Sequence, residues 1–419
     1  MTHTRPRRHF SVFSTVLSVA TLVAAHHGAT ARAQQPGPPS VESDGLAPEV
    51  VDLSPRSASF AAEKRLPDLE KPYITTSPRD LRDGIAVGTL GNNVAILRFA
   101  EEIAGGQHGE VDSLLIAQRG ALLFESYYRR GRVNYPHYQM SITKSYTAMA
   151  IGRAIQLGHL TMADLDKPII DFLKQLDRRT LAPGAEAITL AEAMNMRSGV
   201  RLSDARAQEL NRRAPHLEGQ GQIQAYLEHS EPIPRSPREF KYQGADPAMT
   251  MQVLEAVVPG GARQFIETEL LGRMGITNFA WETDVSGLPK AAAGSGLRSR
   301  DMLKWGMLVL DGGRWNGQQL IPEAFVEKAT DRLYTNKQDA SYGFFWWRQN
   351  VEAGGTTHDQ KSGRGAGGQF IQMYPDLGLV IVITGHHAGM STMLTEAPAR
   401  IVPAFLNDAT LPRKTSTAK

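Results

Sequence analysis

Residues 140–150, MSITKSYTAMA, are the stretch around which the rest of this sequence can be interpreted. Small and apolar residues recur at helical spacing through Ile155, so we expect a helix to begin here. Ser141 and Lys144 are three positions apart, which places both side chains on one face of that helix. A serine hydroxyl becomes a good nucleophile when a neighbour accepts its proton. A lysine can do this once burial and other cations lower its pKa, so the pair forms half of an acyl-transfer site.

The pair is not specific by itself, because Ser-x-x-Lys arises by chance in long sequences. The competing interpretation is that Ser141 caps the helix and that Lys144 is a solvated side chain. The choice between the two depends on the rest of the chain.

The composition is that of an ordinary globular protein. The chain has 419 residues, of which 41% are apolar and 21% charged, enough for two or three structural units. It contains no cysteine, which excludes a thiol nucleophile, a disulfide, a cysteine zinc site and a lipid anchor on cysteine.

The first 33 residues have the pattern of a signal peptide. A basic segment with Arg7 and Arg8 precedes a short apolar run, and Ala31-Arg32-Ala33 is a small-x-small cleavage site. Arg-Arg-x-Phe at residues 7–10 also fits a twin-arginine signal, so we expect an exported protein, periplasmic or secreted, with no stable membrane insertion afterwards. Removing the four arginines of this segment lowers the formal charge from +3 to −1, so the basic pI comes largely from the signal. The pI is therefore no reason to expect a nucleic-acid partner, and we predict none.

The remaining chain divides by its patterns into four parts. Residues 34–110 are predicted to be a linker and an N-terminal extension, and the pattern of residues 61–110 does not favour a definite structure. Residues 111–175 and 286–410 are predicted to form an α/β domain, and residues 176–285 a helical subdomain inserted into it.

Several segments support this division. Residues 113–118 and 121–128 are predicted to be two strands joined by a tight turn at Arg119-Gly120. Further predictions are a capped helix over residues 188–200, an amphipathic helix at 301–306, an aromatic strand at 342–347, a hairpin over 369–384 and a closing helix over 395–406. The predicted fold is an antiparallel sheet flanked by helices, with a cleft next to the inserted helical subdomain.

Taken in order, the motifs resemble those of the serine β-lactamase and penicillin-binding-protein superfamily, over roughly residues 112–405. Within it the chain is most similar to the class C-like branch that includes esterases and amidases similar to 6-aminohexanoate-dimer hydrolase. The segments that carry the resemblance are residues 120–128, 140–145, 194–199, 240–242, 294–306, 342–347 and 365–369.

The resemblance implies a role for each matching residue. Ser141 would be the acylated nucleophile, Lys144 its proton acceptor and Tyr242 a second proton shuttle, although Tyr242 could instead be a core aromatic residue. The oxyanion hole would consist of the Ser141 backbone N–H and another from the strand that begins near Gln369.

Two departures from the family pattern concern the substrate. The family's Tyr-x-Asn motif is here Tyr242-Gln243-Gly244, and its Lys-Thr-Gly box aligns with Gly363-Arg364-Gly365. Losing the asparagine and the lysine argues against efficient β-lactam hydrolysis and favours an ester or amide substrate. The resemblance implies substrate-binding positions at Arg364, Gly365, Gly368 and Gln369. Arg364 could supply a cation for a substrate carboxylate or be a solvated side chain, and Lys361 is another candidate for that charge.

Other motifs predict no cofactor and no metal. The glycines at 363, 365 and 368 match a dinucleotide fingerprint, but they precede a predicted strand instead of following one. His386 and His387 are adjacent and would point apart, His358 is isolated, and we expect no carboxylate cluster beside them. His137 is close to Ser141 in sequence and could line the cleft, but the sequence favours a histidine in a surface loop.

The sequence therefore predicts an exported serine hydrolase that cleaves a small ester or amide through an acyl-enzyme on Ser141. A β-lactamase and a penicillin-binding or sensor module that does not turn over remain alternatives. The exact substrate and the oligomeric state stay open.

Overall fold

The structure, a computed structural model, describes residues 40–41, 47–50, 59–212, 214–335 and 340–406. The predicted signal peptide, residues 1–33, lies outside the described residues. Among the described residues, no helix combines the length and the apolar character needed to cross a bilayer.

The helices and strands are numbered here in chain order. The strands are β1 (Ser40–Val41), β2 (Glu49–Val50), β3 (Tyr73–Thr75), β4 (Ala86–Val87), β5 (Val111–Gln118), β6 (Ala121–Tyr127), β7 (His137–Tyr138), β8 (Phe279–Trp281), β9 (Ser295–Leu297), β10 (Arg314–Trp315), β11 (Gln318–Gln319), β12 (Tyr334–Thr335), β13 (Ser341–Tyr342), β14 (Trp347–Ala353), β15 (Thr356–Gly365), β16 (Gln369–Tyr374) and β17 (Leu379–Gly385). The helices are α1 (Phe60–Glu63), α2 (Val94–Ala104), α3 (Ile142–Gln156), α4 (Leu190–Met194), α5 (Asp204–Glu209), α6 (Gly221–Glu228), α7 (Ala245–Val257), α8 (Gly261–Phe265), α9 (Ser299–Leu310), α10 (Glu323–Ala329) and α11 (Met393–Ile401).

The main sheet has the strand order β12-β13-β14-β15-β16-β17-β5-β6-β3. Neighbours along this path are antiparallel, and β4 pairs with β6 in parallel. A smaller sheet has the order β7-β9-β8. The predicted antiparallel sheet flanked by helices is therefore confirmed.

Side chains alternate between two cores along the central strands, as the period of a strand requires. One core lies towards α3 and α9 and the other towards α2 and α11. The first contains Ile371, Met373, Val380 and Val382, and the second contains Phe370, Tyr374, Leu379, Ile381 and Ile383.

Both predicted hairpins are confirmed. β5 pairs with β6 across the Arg119-Gly120 turn, and both turn residues have positive φ, as a tight hairpin turn requires. β16 pairs with β17 with Phe370 opposite Ile383. The helix predicted over residues 188–200 is much shorter, because α4 ends at Met194, although its predicted cap is present as Thr189 in a capping box with Glu192. The helix predicted at residues 301–306 forms as part of α9.

One predicted strand is wrong. Residues 342–347 form two strands, with β13 ending at Tyr342 and β14 beginning at Trp347. The chain reverses between them because Phe345 has a φ of 62° and Gly343 packs against backbone. A Cβ on Gly343 would lie 2.3 Å from the carbonyl oxygen of Ala329, so only glycine fits.

Residues 61–110, for which the sequence favoured no definite structure, contain helices and strands of the main fold. Residues 59–110 contain α1, β3, β4 and α2, and β3 and β4 both pair with β6. At the other end, α11 stops at Ile401 and a short 3₁₀ turn, Val402–Phe405, follows it, where one closing helix was predicted.

Candidate active site

Ser141 and Lys144 meet at the start of α3. Lys144 Nζ lies 3.0 Å from Ser141 Oγ, within hydrogen-bond distance. The Ser141 side chain does not cap the helix, and Lys144 is only 5% exposed. Both observations contradict the interpretation in which this pair is a cap and a solvated lysine.

The environment of Lys144 prepares it to accept a proton. Burial lowers the pKa of its amine to about 7. Nζ also donates to the carbonyl oxygen of Ala292 at 2.6 Å. A neutral amine oriented by that carbonyl has a lone pair for the Ser141 hydroxyl, which is the arrangement that general-base catalysis needs.

Tyr242 lies on the other side of the amine. Its ring centroid is 4.8 Å from Lys144 Nζ, and the Ser141 side chain is close enough to the phenol to affect its pKa. Burial raises the pKa of Tyr242 to about 12, and the hydrogen bond with Ser141 only partly offsets it. The phenol is therefore a proton donor at neutral pH. Sequence analysis named Ser141, Lys144 and Tyr242 separately, and the structure brings all three together.

The residues around α3 hold Ser141 in place. Met140, directly before Ser141, has a φ of 48°, a strained value for a residue with a side chain and a common feature of functional sites. Thr143 Oγ1 lies 2.7 Å from Ser295 Oγ and donates to the Met140 carbonyl at 2.7 Å. The first turn of α3 is thereby joined to β9.

β15 passes beside this turn and carries the segment aligned with the Lys-Thr-Gly box. A Cβ on Gly363 would lie 3.3 Å from Ile142 and 3.4 Å from Trp346, so the position of the family's lysine faces a filled interior. A Cβ on Gly365 would lie 2.5 Å from the carbonyl oxygen of Gln139. The backbone at the end of β15 thus touches the loop that precedes Ser141.

Arg364 lies between these glycines and points to the opposite face of the strand. It is 9% exposed, and its Nε donates to Ser362 Oγ at 2.9 Å. Its guanidinium stacks 5.2 Å from the Trp347 ring, which is in turn 6.1 Å from the Tyr242 ring. One terminal nitrogen, Nη2, is buried without a hydrogen-bond partner among the described residues, and burial lowers the pKa of Arg364 to about 10.

The other predicted substrate-binding positions form the turn after β15. The Gln369 side chain is buried and donates to the Gly385 carbonyl at 2.5 Å and to Ala366 O at 3.5 Å, so its amide shapes the turn. Gly368 has a φ of 89°, and a Cβ there would lie 2.7 Å from the His387 ring. Their roles in substrate binding stay predictions.

The two residues after Tyr242 have different surroundings at the position where the family has its asparagine. Gln243 donates to Asp246 Oδ2 at 2.6 Å, and the buried Asp246 also accepts from the Ser198 N–H at 3.1 Å. Burial raises the pKa of Asp246 to about 7. Gly244, at the asparagine position, is exposed, and a Cβ there would meet only Ala292 Cβ, at 3.9 Å.

Lys361 belongs to a different surface. It lines an open depression of about 500 Å³ together with Ala324, Glu327, Lys328, Asp331 and Arg348. Burial and the Arg348 charge lower the pKa of Lys361. Its predicted role in binding a substrate carboxylate stays untested.

Two expectations about histidines are wrong. His137 is 6% exposed and not a surface loop residue. His386 lies beside two carboxylates, with Nδ1 2.5 Å from Asp112 Oδ2 and Nε2 3.3 Å from Glu63 Oε2. These neighbours outweigh burial and raise the pKa of His386 to about 9, whereas burial lowers that of His137. The two carboxylates are distant from His386 in the sequence, so no local sequence pattern could predict that they lie beside it.

Sequence reasoning also missed the residues that support Lys144. Ala292 is 148 positions from Lys144, and it acts through a backbone carbonyl, which any residue type could supply. Trp347 was predicted to be a sheet residue, and its position between Arg364 and Tyr242 depends on how β14 pairs with β15.

Comparison with known proteins gives one family match. The model of the Beta-lactamase family matches residues 98–402, more than two thirds of the chain. A protein from Bacillus anthracis assigned as a 6-aminohexanoate-dimer hydrolase has a similar structure, with a TM-score of 0.59 and 20% identity over 79% of this chain and 87% of that one. A D-stereospecific amidohydrolase from Streptomyces sp. has a TM-score of 0.57 and 17% identity, covering 76% and 100%. A class C β-lactamase in complex with cefoxitin has a TM-score of 0.57 and 14% identity, covering 74% and 97%. At these identities the structural likeness shows the fold.

Proposed function

Because this chain belongs to the beta-lactamase family, we propose that it is an exported serine hydrolase that cleaves an ester or an amide through an acyl-enzyme on Ser141. The observation that carries the proposal is the 3.0 Å contact between Ser141 Oγ and the buried amine of Lys144. A lysine with a pKa near 7 is about half neutral at physiological pH, so a large share of molecules hold a base beside the hydroxyl.

In the first step, Ser141 Oγ attacks the carbonyl carbon while its proton moves to Lys144 Nζ. The negative charge that develops on the carbonyl oxygen needs backbone donors, and the Ser141 N–H at the start of α3 is one of them. The second donor would come, as the sequence predicts, from the strand that begins near Gln369, which is β16, and β16 pairs with β15 at Gly365 beside the loop before Ser141.

In the second step, the bond to the leaving group breaks and the leaving alcohol or amine takes a proton. Tyr242 would donate it, since its raised pKa keeps the phenol protonated and the nearby Lys144 can return a proton to it. Water then attacks the acyl-enzyme, with Lys144 as base, and releases the carboxylic acid and free Ser141.

The choice of an ester or amide over a β-lactam rests on the two departures at the site. Gly244 and Gly363 replace polar side chains that the resemblance assigns to β-lactam binding, and Gly363 faces Ile142 and Trp346. The same departures favour, as a second candidate, a module that is acylated but does not turn over.

Labelling of the nucleophile tests the proposal directly. A fluorophosphonate should add one phosphonyl group per chain, with Ser141 Oγ displacing fluoride, and the modified peptide should contain Ser141. Ser141→Ala should take no label and lose ester hydrolysis, while keeping the wild-type circular dichroism spectrum. Ser145, buried one turn further along α3 and donating to the Phe345 carbonyl at 2.7 Å, provides the matched control Ser145→Ala, which should still be labelled.

Label on another residue, or full ester turnover by Ser141→Ala, would overturn the proposal. Steady hydrolysis of simple esters supports the hydrolase, whereas one acyl group that never leaves supports the non-hydrolysing module. Rapid hydrolysis of a chromogenic cephalosporin would instead identify a β-lactamase.

We also propose export, on the signal-peptide pattern of residues 1–33 alone. Fractionation of expressing cells should recover a chain that begins at Gln34 outside the cytoplasm. A chain retained in the cytoplasm with residue 1 or 2 at its N-terminus would contradict export without affecting the active-site proposal.

A further inference from the structure

A second cluster of chemically active side chains lies outside the Ser141 site. It joins three parts of the chain that are far apart in sequence: Glu63 at the end of α1, His137 in β7, and His386 directly after β17. All three are buried, with 1%, 6% and 4% of their surfaces exposed. One nitrogen of each histidine and one oxygen of Glu63 lie within 4.8 Å of one another.

The cluster lacks the hydrogen bonds that such groups normally make. Glu63 Oε2, His137 Nε2 and His386 Nε2 are buried without a hydrogen-bond partner among the described residues. Glu63 Oε2 is nevertheless 3.3 Å from His386 Nε2 and 3.6 Å from His137 Nδ1. Buried polar atoms are rarely left unpaired, so a group that satisfies Glu63 Oε2 and His386 Nε2 together is expected at this point, with Nδ1 as the His137 atom that faces it.

A fourth residue fixes the orientation of His386. This residue is Asp112: its Oδ2 lies 2.5 Å from His386 Nδ1 and accepts a hydrogen bond from the Nδ1–H group. Nε2 then faces Glu63 Oε2 at 3.3 Å, where a positive charge is needed between the imidazole and the carboxylate, either a proton on Nε2 or a metal cation that replaces that proton. A metal-bound histidine usually donates the N–H of its other ring nitrogen to a carboxylate in this way.

The two distances from Glu63 to the histidines agree with tetrahedral coordination. Bonds of about 2.0–2.1 Å from Zn²⁺ to imidazole nitrogen and carboxylate oxygen place neighbouring ligand atoms roughly 3.3–3.5 Å apart. The two contacts of Glu63 Oε2 with the histidines, at 3.3 and 3.6 Å, are close to that spacing. Charge also agrees, because a divalent cation with two neutral imidazoles balances the carboxylates of Glu63 and Asp112.

We propose that Glu63, His137 and His386 bind a divalent transition-metal ion, with Zn²⁺ the best match, and that Asp112 positions His386. Two imidazoles and one carboxylate are a ligand set that zinc prefers. Phe60 packs beside the cluster, with its ring stacked 4.7 Å from that of His386.

The metal would join the N-terminal segment to the catalytic part of the fold. His137 is four residues before Ser141, and His386 follows the strand beside β16. Glu63 also accepts a hydrogen bond from the Tyr138 backbone N–H through its other oxygen, Oε1. One ion would therefore fix α1, the loop that precedes the nucleophile and the end of β17 relative to one another, which assigns it a structural role.

Zinc content and affinity test the proposal. The untagged protein is stripped with EDTA, titrated with zinc sulfate in competition with a chromophoric chelator, and its bound metal is measured by plasma mass spectrometry. We expect one tightly held zinc per chain. Asp112→Asn should weaken binding by about 10–100-fold, because it leaves the ligands in place but alters their support. Glu63→Gln, which removes the anionic ligand, should weaken it more.

His358→Asn is the matched control. His358 is another buried histidine beside a carboxylate, with Nδ1 2.6 Å from Asp376 Oδ2, and it lies outside the cluster. This variant should bind zinc as the wild type does. A wild-type chain that binds no zinc at micromolar concentrations would overturn the proposal, and so would Glu63→Gln binding zinc as tightly as the wild type.

X-ray absorption at the zinc edge covers the case in which the variants do not fold, because it needs only the wild-type chain. Two imidazoles among the ligands at about 2.0–2.1 Å support the site, and a shell of oxygen alone contradicts it. None of these measurements depends on the Ser141 reaction, so the two proposals can fail separately.

Discussion

The reactivity of Ser141 depends on the protonation state of one amine. Lys144 forms no salt bridge with a carboxylate among the described residues, and burial lowers its pKa to about 7. A partner such as aspartate would have held the proton on the lysine and prevented it from acting as a base. The Ala292 carbonyl orients the amine without adding a full negative charge.

The pH dependence of acylation follows from this shift. The neutral amine is the active form, so the rate of fluorophosphonate labelling should rise with pH, with a midpoint near 7, and then level off. Tyr242 keeps its proton up to a pKa of about 12 and should cause no fall below pH 10. Labelling rates measured from pH 5 to 10 check this expectation. A midpoint near 10 would show that Lys144 titrates like a solvated lysine.

The same shift makes the stability of the folded protein depend on pH. The folded-state pKa of Lys144, about 7, lies below the unfolded value near 10.5, so the folded protein is penalised below pH 10.5 and the penalty is complete below pH 7. Lys144→Met should therefore raise the free energy of unfolding at pH 7 by roughly 1–3 kcal/mol, after allowing for the lost hydrogen bond to Ala292. Urea unfolding at pH 7 and pH 10 checks this. The gain should shrink at pH 10, and a gain that grows with pH would contradict the assignment.

At the scale of elements, the site depends on how closely α3 approaches β15. Glycines make this contact possible: Gly363 faces Ile142, and Gly365 faces the carbonyl of Gln139, two residues before Ser141. On its far side α3 is close-packed as well, because a Cβ on Gly152 would lie 2.6 Å from Ile321 and Phe325. The helix that carries Ser141 is thus closely packed on both sides, against β15 and against Ile321 and Phe325.

Gly365→Ala tests this contact. The new methyl group would lie 2.5 Å from the Gln139 carbonyl oxygen, so the strand or the loop must move. A displacement of about 1 Å at reacting groups costs on the order of 10²-fold in rate, so we expect labelling of Ser141 to slow by roughly 10–100-fold. Gly105→Ala, where the added atom would be 3.4 Å from its nearest neighbour, is the control and should react normally. Equal rates for both variants would show that the contact does not position Ser141.

At the scale of the whole molecule, buried charges attach the N-terminal segment to the sheet. Arg300 of α9 donates to both oxygens of Glu125 in β6, at 2.8 and 2.7 Å, and to the Arg79 carbonyl at 2.9 Å. It also lies 3.4 Å from Asp83, and both it and Glu125 are almost fully buried. The guanidinium of Arg300 thus joins α9, β6 and residues 79–83.

Removing that guanidinium leaves two buried carboxylates without their cation. Arg300→Met should therefore lower the free energy of unfolding by about 3–5 kcal/mol, measured by guanidinium chloride denaturation. Arg263→Ala, which removes an exposed arginine 3.6 Å from Glu267, should change it by less than about 1 kcal/mol. Similar losses in the two variants would contradict the importance of the buried network.

The sequence by itself determined the features that depend on local spacing. The pairing of Ser141 with Lys144 follows from helical periodicity, both hairpins follow from alternating strands around turn residues, and the family follows from the order of motifs along the chain. Only the tertiary structure decided what depends on long-range contacts. Ala292 reaches Lys144, and Glu63 and Asp112 flank His386, because strands and helices hundreds of residues apart pack together. Burial, which sets the pKa of Lys144, is a property of that packing and leaves no local pattern in the sequence.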